Sequence, residues 1–234
     1  MAEERMKILI TGAAGAVGSR LIQGMAGRYF LRGLDREQVA GADEAIIGDV
    51  GDGDTMLKAT EGMDAAIHLT GGDHEWEGVL QTNLIGTFNL LEACRVNGVK
   101  RVAYASRAGV HGPQPDEITR NVHMTLQPVG LYTVSKVFGE ALGFSYVQQH
   151  GLEFVAVRIG NFNRDRDQPE HPHQLSHGDC VRVFERAVIH PGVEYEIVYG
   201  VSDSTWPRYD LDHGRRVIGY DPQDKSDWEP EGGE

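Results

Sequence analysis

A glycine-rich turn close to the beginning of the chain restricts the fold more than any other feature. The apolar run Lys7–Thr11 leads directly into the turn Gly12–Gly18, in which glycine recurs at every third position. A helix is predicted over residues 19–27. A buried strand, a tight turn and a helix in this order predict the first half of a parallel βαβ unit.

The same alternation continues along the chain and predicts an α/β protein. Short apolar strands alternate with helical segments, an order that favours a Rossmann-like, doubly wound parallel sheet. In such a sheet a ligand binds at the carboxyl ends of the strands. The further strands are predicted at 29–35, 45–49, 64–69, 101–106 and 153–159, and the further helices at 52–60, 82–97 and 131–150.

The character of the chain changes after Gly160. Residues 1–160 are predicted to form a nucleotide-binding core, and residues 161–225 a small lobe that contacts the substrate. Residues 226–234 are expected to be a disordered acidic tail. Within the lobe, a polar loop is predicted at 163–177, a helix at 177–190, a strand at 194–199, and a turn with a helix at 203–216.

The glycine turn has the features of a cradle for the diphosphate of a dinucleotide. Gly12 permits the tight turn, Gly15 lets the backbone approach the diphosphate, and Gly18 allows helix and strand to pack closely. The N-terminus of the helix adds backbone N–H donors and a favourable dipole for phosphate. Cofactor contacts are also predicted for the intervening Ala14, Ala16 and Val17.

Residues at two predicted strand ends complete this cofactor site. Asp35 follows Gly18 by about the spacing expected of a carboxylate that binds both hydroxyls of the adenosine ribose. It would repel a 2′-phosphate and favour NAD over NADP, although Arg36 next to it could pair with such a phosphate. Asp49 and Val50 are predicted to flank the adenine.

Tyr132 and Lys136 indicate what chemistry accompanies the nucleotide. They are separated by one helical turn within a predicted helix, so their side chains share one face. The lysine ammonium can stabilise a tyrosinate and lower a pKa that is ordinarily about 10. Tyr132 could then remove a proton from a substrate hydroxyl while a nicotinamide takes the hydride.

Composition narrows the possible partners. The net charge of −13 disfavours nucleic acid and anionic membranes. No apolar run approaches the roughly 18–20 residues of a membrane span, and residues 1–5 lack the apolar core of a signal peptide. Cys94 and Cys180 lie in predicted helices and are expected to be buried thiols, which favours a reducing cytoplasm.

The chain resembles the extended short-chain dehydrogenase/reductase superfamily, in its NAD-dependent epimerase/dehydratase branch, and within it the uronate dehydrogenases. The resemblance covers nearly the whole chain. The matching motifs are Thr11–Gly18, His68–Gly72, Asn83–Thr87, Tyr132-x-x-x-Lys136 and Arg158–Gly160 for the branch, and Gly130–Glu140, Ser176-His-x-Asp179, Val198–Gly200, Trp206 and Gly219–Pro222 for the uronate dehydrogenases.

This resemblance implies a mechanism and further site residues. Tyr132 is the base, Lys136 binds the nicotinamide ribose, and a serine at the end of the fifth strand polarises the substrate oxygen. The C1 hydroxyl of a sugar acid is oxidised by NAD to give an aldaro-lactone. Related proteins pair the helices at 82–97 and 131–150 across a homodimer. Cofactor contacts are expected from Leu69, Thr70, Gly71, Asn83, Tyr132, Lys136 and Ile159.

The segment after the fifth strand departs from the family pattern of two serines followed by Asn-His. Here it reads Ser106-Arg107-Ala108-Gly109, so Ser106 is the remaining candidate for the catalytic serine. Neighbouring side chains on a strand point to opposite sides, and Ser106 would need a small backbone shift to face the substrate. Thr70 or Asn161 could donate instead.

Arg107 has two possible placements. In the cleft, its guanidinium would bind a carboxylate or phosphate and help to ionise Tyr132. Alternatively it points to solvent or pairs with Asp73 or Glu75. Further substrate contacts are predicted for Gly72, Asn161 and Arg164.

Three histidines in the lobe have the spacing of metal ligands. No Cys or carboxylate completes an obvious tetrahedral set, so no metal is predicted. A polar loop is the preferred interpretation of this segment. The residues concerned are His171, His173 and His177.

These features predict an NAD-dependent oxidoreductase that oxidises a hydroxyl of a sugar or sugar acid. One alternative is a nucleotide-sugar epimerase or dehydratase, although such enzymes tend to have a larger C-terminal lobe than residues after Gly160 allow. Another is a non-catalytic NAD-binding sensor, which would need neither Tyr132 nor Lys136. Localisation in the cytoplasm and a homodimer are expected.

Overall fold

The computed structural model describes residues 5–71 and 74–229, and its centre is a seven-stranded parallel sheet. The order of the strands is β3-β2-β1-β4-β5-β6-β9, as predicted for a doubly wound Rossmann-like sheet. The strands of this sheet are β1 (Lys7–Thr11), β2 (Phe30–Asp35), β3 (Glu44–Ile47), β4 (Ala65–His68), β5 (Arg101–Arg107), β6 (Glu153–Ile159) and β9 (Tyr195–Gly200).

The order in which the chain adds strands to the sheet reverses beside β1. This strand pairs with β2 on one side and β4 on the other, with Thr11 level with both Leu34 and His68. The connections therefore leave β1 towards opposite edges, and a crevice opens at the carboxyl ends of the strands. The polar residues that follow the strands are brought together at this one edge.

Helices cover both faces of the sheet. Those of the Rossmann core are α1 (Ala16–Met25), α2 (Gly53–Thr60), the short α3 (Trp76–Gly78), α4 (Gly86–Asn97) and α5 (Leu131–His150). The later helices are α6 (His177–Ile189) and α7 (Asp212–Ile218). A π-helical segment, Val79–Ile85, precedes α4, and a 3-10 turn, Ala108–His111, follows β5.

Successive residues of a strand enter different cores. Ile8 and Ile10 belong to the core beneath α1 and α6, whereas Leu9 between them belongs to the core beneath α2, α4 and α5. Both faces of β1 are thus buried, which explains why it is a continuous apolar run rather than an alternating one. Described residues include no helix both long and apolar enough to cross a membrane.

Helical backbone begins earlier than the sequence predicted in one segment. The predicted helix over 82–97 is preceded by α3 and includes most of the π-helix, so that helical turns run from Trp76 to Asn97. Widened π turns are uncommon and often occur at functional sites. Asn83 lies in this turn and is buried.

The C-terminal part is more ordered than predicted. Two pairs of short strands lie here, namely β7 (Asn161–Phe162) with β8 (Gln174–Leu175), and β10 (Asp203–Ser204) with β11 (Lys225–Ser226). The expected disorder from Ser226 onward is wrong for residues 226–229, because Ser226 is fully buried and Trp228 packs 5.0 Å from the Trp206 ring. The division of the chain at residue 160 stays a prediction.

Candidate active site

A long cleft runs along the carboxyl edge of the sheet. Its volume is about 570 Å³, and it spans the ends of β1, β2, β3 and β4. It is referred to below as the long cleft. Its lining residues are Gly12, Gly15, Leu34, Asp35, Arg36, Gly48, Asp49, Val50, Leu69, Thr70, Gly71, His74, Glu75 and Thr82.

The glycine turn is built around the carbonyl of Gly12. Gly12 has φ +70°, a left-handed backbone conformation that favours glycine. A Cβ on Gly18 would lie only 2.2 Å from the Gly12 oxygen, so no other residue fits there without moving the turn. Gly15 is the N-cap of α1 and has no side chain to cover the N–H groups of the first helical turn, to which Ala16 and Val17 belong. These donors suit a diphosphate.

Asp35 ties the glycine turn to the end of β2. One of its carboxylate oxygens accepts a hydrogen bond from the Ala14 N–H at 3.0 Å, and the other accepts one from the Glu37 N–H at 3.2 Å. Each carboxylate oxygen has a second lone pair, which leaves capacity to accept from ribose hydroxyls in the cleft. The predicted Asp49 and Val50 also line the cleft.

The long cleft therefore fits NAD in shape and chemistry. The glycine turn, the α1 N-terminus and the Asp35 carboxylate would hold the diphosphate and the adenosine ribose. Leu69, Thr70 and Gly71 line the cleft as predicted. Gly72, predicted as a substrate residue, lies outside the described residues.

Asn83 lies behind the wall of the cleft rather than on it. Its amide donates to the Ser135 hydroxyl at 2.8 Å, and its Oδ1 is 3.0 Å from the position of a Cβ on Gly71. The predicted cofactor contact of Asn83 is therefore corrected to a supporting position beneath Gly71. The π-helical turn that carries Asn83 brings it towards α5.

Lys136 is buried against the wall of the cleft. Its ammonium donates to the Thr70 carbonyl at 3.3 Å and lies 5.4 Å from the centre of the Tyr132 ring. Burial lowers the pKa of Lys136 to about 8. The nearby His68 is also fully buried, and burial, together with the Lys136 charge, lowers the pKa of this histidine to about 3.

Tyr132 stands where the long cleft meets a second cavity. The His74 ring, which lines the long cleft, lies 5.2 Å from the Tyr132 ring. The second cavity, called the side pocket below, has a volume of about 230 Å³. The side pocket is lined by Ser106, Arg107, Ala108, Gly109, Tyr132, Ile159, Gly160, Asn161, His173 and Tyr209.

The pKa of Tyr132 is governed by burial and by Arg107. Burial raises the pKa, and the guanidinium of Arg107 acts in the opposite direction. The sequence predicted Lys136 as the cation that lowers this pKa. In the structure Lys136 donates to a carbonyl and lies over the ring face, and burial lowers its own pKa. The effect of Lys136 on the phenol stays a prediction.

The Ser106 hydroxyl does not face the substrate side. It donates to a carboxylate oxygen of Glu140 at 2.5 Å and is buried. Arg158 holds the same carboxylate with two hydrogen bonds of 2.8 Å. The prediction that Ser106 polarises the substrate oxygen therefore requires a correction. The pleat of β5 turns this side chain towards α5 and presents the next one to the side pocket.

Arg107 lines the side pocket and is exposed to solvent. Its guanidinium carbon lies 5.7 Å from the centre of the Tyr132 ring, and the residue lines the cavity. Its neighbour across the sheet, Ile159, lines the same cavity. Ile159 was predicted to contact the cofactor, and the structure places it with Arg107 instead. Asp73, the alternative partner of Arg107, is outside the described residues.

Asn161 and Arg164, which were also predicted to contact the substrate, lie in different parts of the site. Asn161 lines the side pocket, and its backbone N–H donates to the His173 carbonyl at 2.7 Å. Arg164 instead reaches the glycine turn, where its guanidinium lies 3.4 Å from the Ala14 carbonyl oxygen. Its predicted contact with the substrate is thus replaced by a contact beside the cofactor cradle.

Sequence reasoning missed three residues of the site. These are His74, beside Tyr132, and the pair His173 and Tyr209 in the side pocket. His173 bonds to the Tyr209 hydroxyl at 2.9 Å, and its pKa is lowered to about 4 by burial and by the positive charge of its neighbours. The position of His173 in a polar loop over the cleft was the one signal available.

The three lobe histidines contact other groups of the protein. The rings of His171 and His173 stack at 4.9 Å, and His177 approaches the Asn163 carbonyl at 2.7 Å. In the portion of the chain that the structure describes, no group of three metal-ligating side chains converges.

The fold and the two cavities define a dinucleotide-binding oxidoreductase of the Rossmann type. Residues 8–177 match the model of the NAD dependent epimerase/dehydratase family. The chain belongs to this family, and NAD is its cofactor.

Several similar proteins are sugar or uronate dehydrogenases. The chain is 35% identical to an NAD-dependent glucose-6-phosphate dehydrogenase of Haloferax volcanii, over 94% of each protein. It is 34% identical to a uronate dehydrogenase of Pseudomonas putida, over 94% of this chain and 85% of the relative. A crystal structure of a uronate dehydrogenase variant from Agrobacterium tumefaciens complexed with NAD superposes with a TM-score of 0.86, at 31% identity, over 94% of this chain and 86% of that one.

Proposed function

We propose that this NAD-dependent dehydrogenase oxidises a hydroxyl-bearing carbon of a sugar acid, with Tyr132 as the base. The observation that carries the proposal is the position of Tyr132. It lines the side pocket together with Arg107, and its ring lies 5.2 Å from that of His74, which lines the cleft that fits NAD. A substrate in the side pocket would thus have its hydroxyl beside the phenol and its carbon beside the cofactor.

The chain's own residues manage the proton of this reaction. Bound NAD would supply the acceptor for the hydrogen of the substrate C–H bond and its electron pair. The Tyr132 phenolate takes the proton of the hydroxyl, and a C=O bond forms on the carbon. Oxidation of the anomeric carbon of a ring sugar yields a lactone. We assign the contact with the nicotinamide ribose to Lys136, and its hydrogen bond to the carbonyl of Thr70, a residue that lines the cleft, supports this assignment.

Arginine side chains place positive charge in and beside the side pocket of a protein whose net charge is −13. Arg107 lies inside it, and Arg120 lies 5.5 Å from the ring of Tyr209, which lines it. Arg120 and Arg208 also contribute to the lowered pKa of His173. A pocket with this potential suits an anionic substrate such as a uronate, and Asn161 adds a polar group at its wall.

An absorbance assay tests this function. The protein is incubated with NAD and a panel of uronates, neutral aldoses and sugar phosphates, and NADH is followed. We expect turnover on a uronate, and a loss of at least about 100-fold in Tyr132→Phe. A tightly bound cofactor without net reduction would instead favour an epimerase. NAD binding with no turnover on the panel would favour a sensor.

We further propose a homodimer that pairs α4 and α5 with the same helices of a second copy. Four apolar side chains on these helices are about half exposed, which supports burial in an interface. Light scattering on the purified protein tests this, with Phe144→Glu expected to shift the mass towards the monomer. The four side chains are Phe88, Val96, Val134 and Phe144.

We also place the protein in the cytoplasm. Cys94 and Cys180 are both free and buried, as the sequence predicted, and burial raises the pKa of each thiol. Thiols kept in this state accord with a reducing compartment. Fractionation of source cells with an activity assay tests the assignment.

A further inference from the structure

The residue that faces Tyr132 across the side pocket is Arg107. The hydroxyl of its neighbour Ser106 is committed to Glu140 at 2.5 Å, on the opposite side of β5. Glu140 is in turn fixed by Arg158, so turning Ser106 into the pocket would break a buried network. Of these two neighbouring residues, Arg107 is therefore the one whose side chain is available to the substrate in the side pocket.

A glycine makes room for this arginine. An ideal Cβ on Gly109 would lie 2.9 Å from Nε of Arg107, which is closer than side chains tolerate. The guanidinium thus lies over the backbone of Gly109 on one side and near the ring of Tyr132 on the other. A Cβ on Gly109 would therefore require the guanidinium of Arg107 to shift from this position.

We propose that Arg107 is a catalytic residue, which donates hydrogen bonds to the reacting oxygen of the substrate and favours the phenolate of Tyr132. This inference rests on the proposed function. As the hydroxyl proton passes to Tyr132, negative charge develops on the substrate oxygen, and a fixed donor stabilises it. The guanidinium stays charged throughout and offers several N–H groups, so it can serve the substrate oxygen and the phenolate together.

Several other groups surround the Tyr132 phenol, and their influence has to be separated from that of Arg107. Lys136 shares its helix, and His74 approaches from the loop after β4. Tyr104 of β5 interacts electrostatically with it. His173 and Tyr209 lie in the side pocket. A substitution at Arg107 alone changes none of these side chains, so a shift in the phenolate titration would report on the arginine.

The first test needs no cofactor. The phenolate of Tyr132 is titrated by ultraviolet absorbance, as the difference between each protein and its Tyr132→Phe counterpart. We expect Arg107→Met to move the midpoint to higher pH, and Arg107→Lys to move it less. Gly109→Ala keeps the guanidinium but displaces it, and we expect an intermediate shift. Arg20→Met, which removes an exposed arginine on α1, and Gly53→Ala, at the first residue of α2, are the matched controls.

The second test is kinetic and uses a uronate and a neutral aldose. We expect Arg107→Met to lower kcat about 100-fold on both substrates, and the limb of the pH–rate profile assigned to the base to move to higher pH. Added ethylguanidine should restore part of the rate. Circular dichroism and thermal melting establish that each variant is folded, and Arg107→Lys provides a second variant should Arg107→Met unfold.

Three results separate the possibilities. An unchanged phenolate midpoint in both arginine variants overturns the proposal. A rise in KM confined to the uronate, with kcat intact, also overturns it and makes Arg107 a carboxylate ligand only. If the unsubstituted protein oxidises no sugar, the proposed function fails, whereas the titration still decides whether Arg107 favours the phenolate.

Discussion

Arg164, in the loop after β7, places its guanidinium 3.4 Å from the carbonyl oxygen of Ala14 in the glycine turn. The contact joins the loop that borders the side pocket to the cradle for the cofactor diphosphate. A cation at this position is close to where the phosphates of NAD would lie. Arg164 thereby connects the loop beside the side pocket to the glycine turn.

Replacing Arg164 with Ala should weaken NAD binding about threefold to tenfold, because one exposed charge near a phosphate is lost. Turnover at saturating NAD should change little, since Tyr132 and Lys136 are untouched. Calorimetric titration with NAD measures the effect. Arg166→Ala is the control, because Arg166 pairs with Glu170 further along the same loop. Equal affinities for Arg164→Ala and the unsubstituted protein would contradict the assignment.

Asp35→Asn should reduce the preference for NAD over NADP at least about tenfold, or on the order of 1.4 kcal/mol. The amide can keep the hydrogen bond from the Ala14 N–H but removes the charge that repels a 2′-phosphate. The ratio of kcat/KM for the two cofactors measures this. Arg36 lines the same end of the cleft and becomes available to pair with the phosphate. An unchanged ratio would show that Asp35 does not set the preference.

Ser106→Ala should destabilise the protein by about 1–3 kcal/mol while leaving kcat within about threefold. The loss arises because a buried carboxylate, that of Glu140, loses one of its donors. Urea unfolding and steady-state kinetics measure the two effects. Ser202→Ala is matched to it, since the Ser202 hydroxyl makes a buried 2.6 Å bond to Asp179 away from the site. A 100-fold fall in kcat for Ser106→Ala alone would restore Ser106 as the catalytic serine.

The free energy of unfolding should depend on pH because His68 is buried. Its pKa in the folded protein is about 3, below the ordinary value of 6.5, so the unfolded chain binds the proton more readily. The resulting stability is complete above pH 6.5 and is lost as the pH falls towards 3. For His68→Asn we expect a flatter slope between pH 7 and 5, by up to about 1.4 kcal/mol per pH unit. Urea unfolding across this range measures it, and identical slopes would contradict the prediction.

The sequence predicted those parts of the fold that local pattern controls. The bounds of β1, α5 and β6 agree with the prediction, because each is an unbroken apolar or amphipathic run between turn residues. The pleat of β5 also allowed the inference that Ser106 and Arg107 face opposite sides. Local periodicity was sufficient for each of these points.

Contacts between distant segments escaped prediction. Nothing local to Arg164 indicates Ala14 as its neighbour, and the approach of His74 to Tyr132 depends on the path of a loop. The acidic composition after residue 226 suggested disorder, yet Trp228 packs on Trp206. The burial of Lys136 and its bond to the Thr70 carbonyl are likewise tertiary properties that local pattern does not predict.

The register between β5 and β6 determines which side chains line the side pocket. Ser106 is level with Arg158 and Arg107 with Ile159, so one row of side chains joins the sheet to Glu140 of α5 while the next row lines the side pocket. A slip of a single residue would exchange the rows and bury a guanidinium where a hydroxyl now sits. The Glu140–Arg158 ion pair resists that slip. Substitutions at Arg107 and Gly109 should therefore change the reaction with less effect on the fold than substitutions at Ser106 or Arg158.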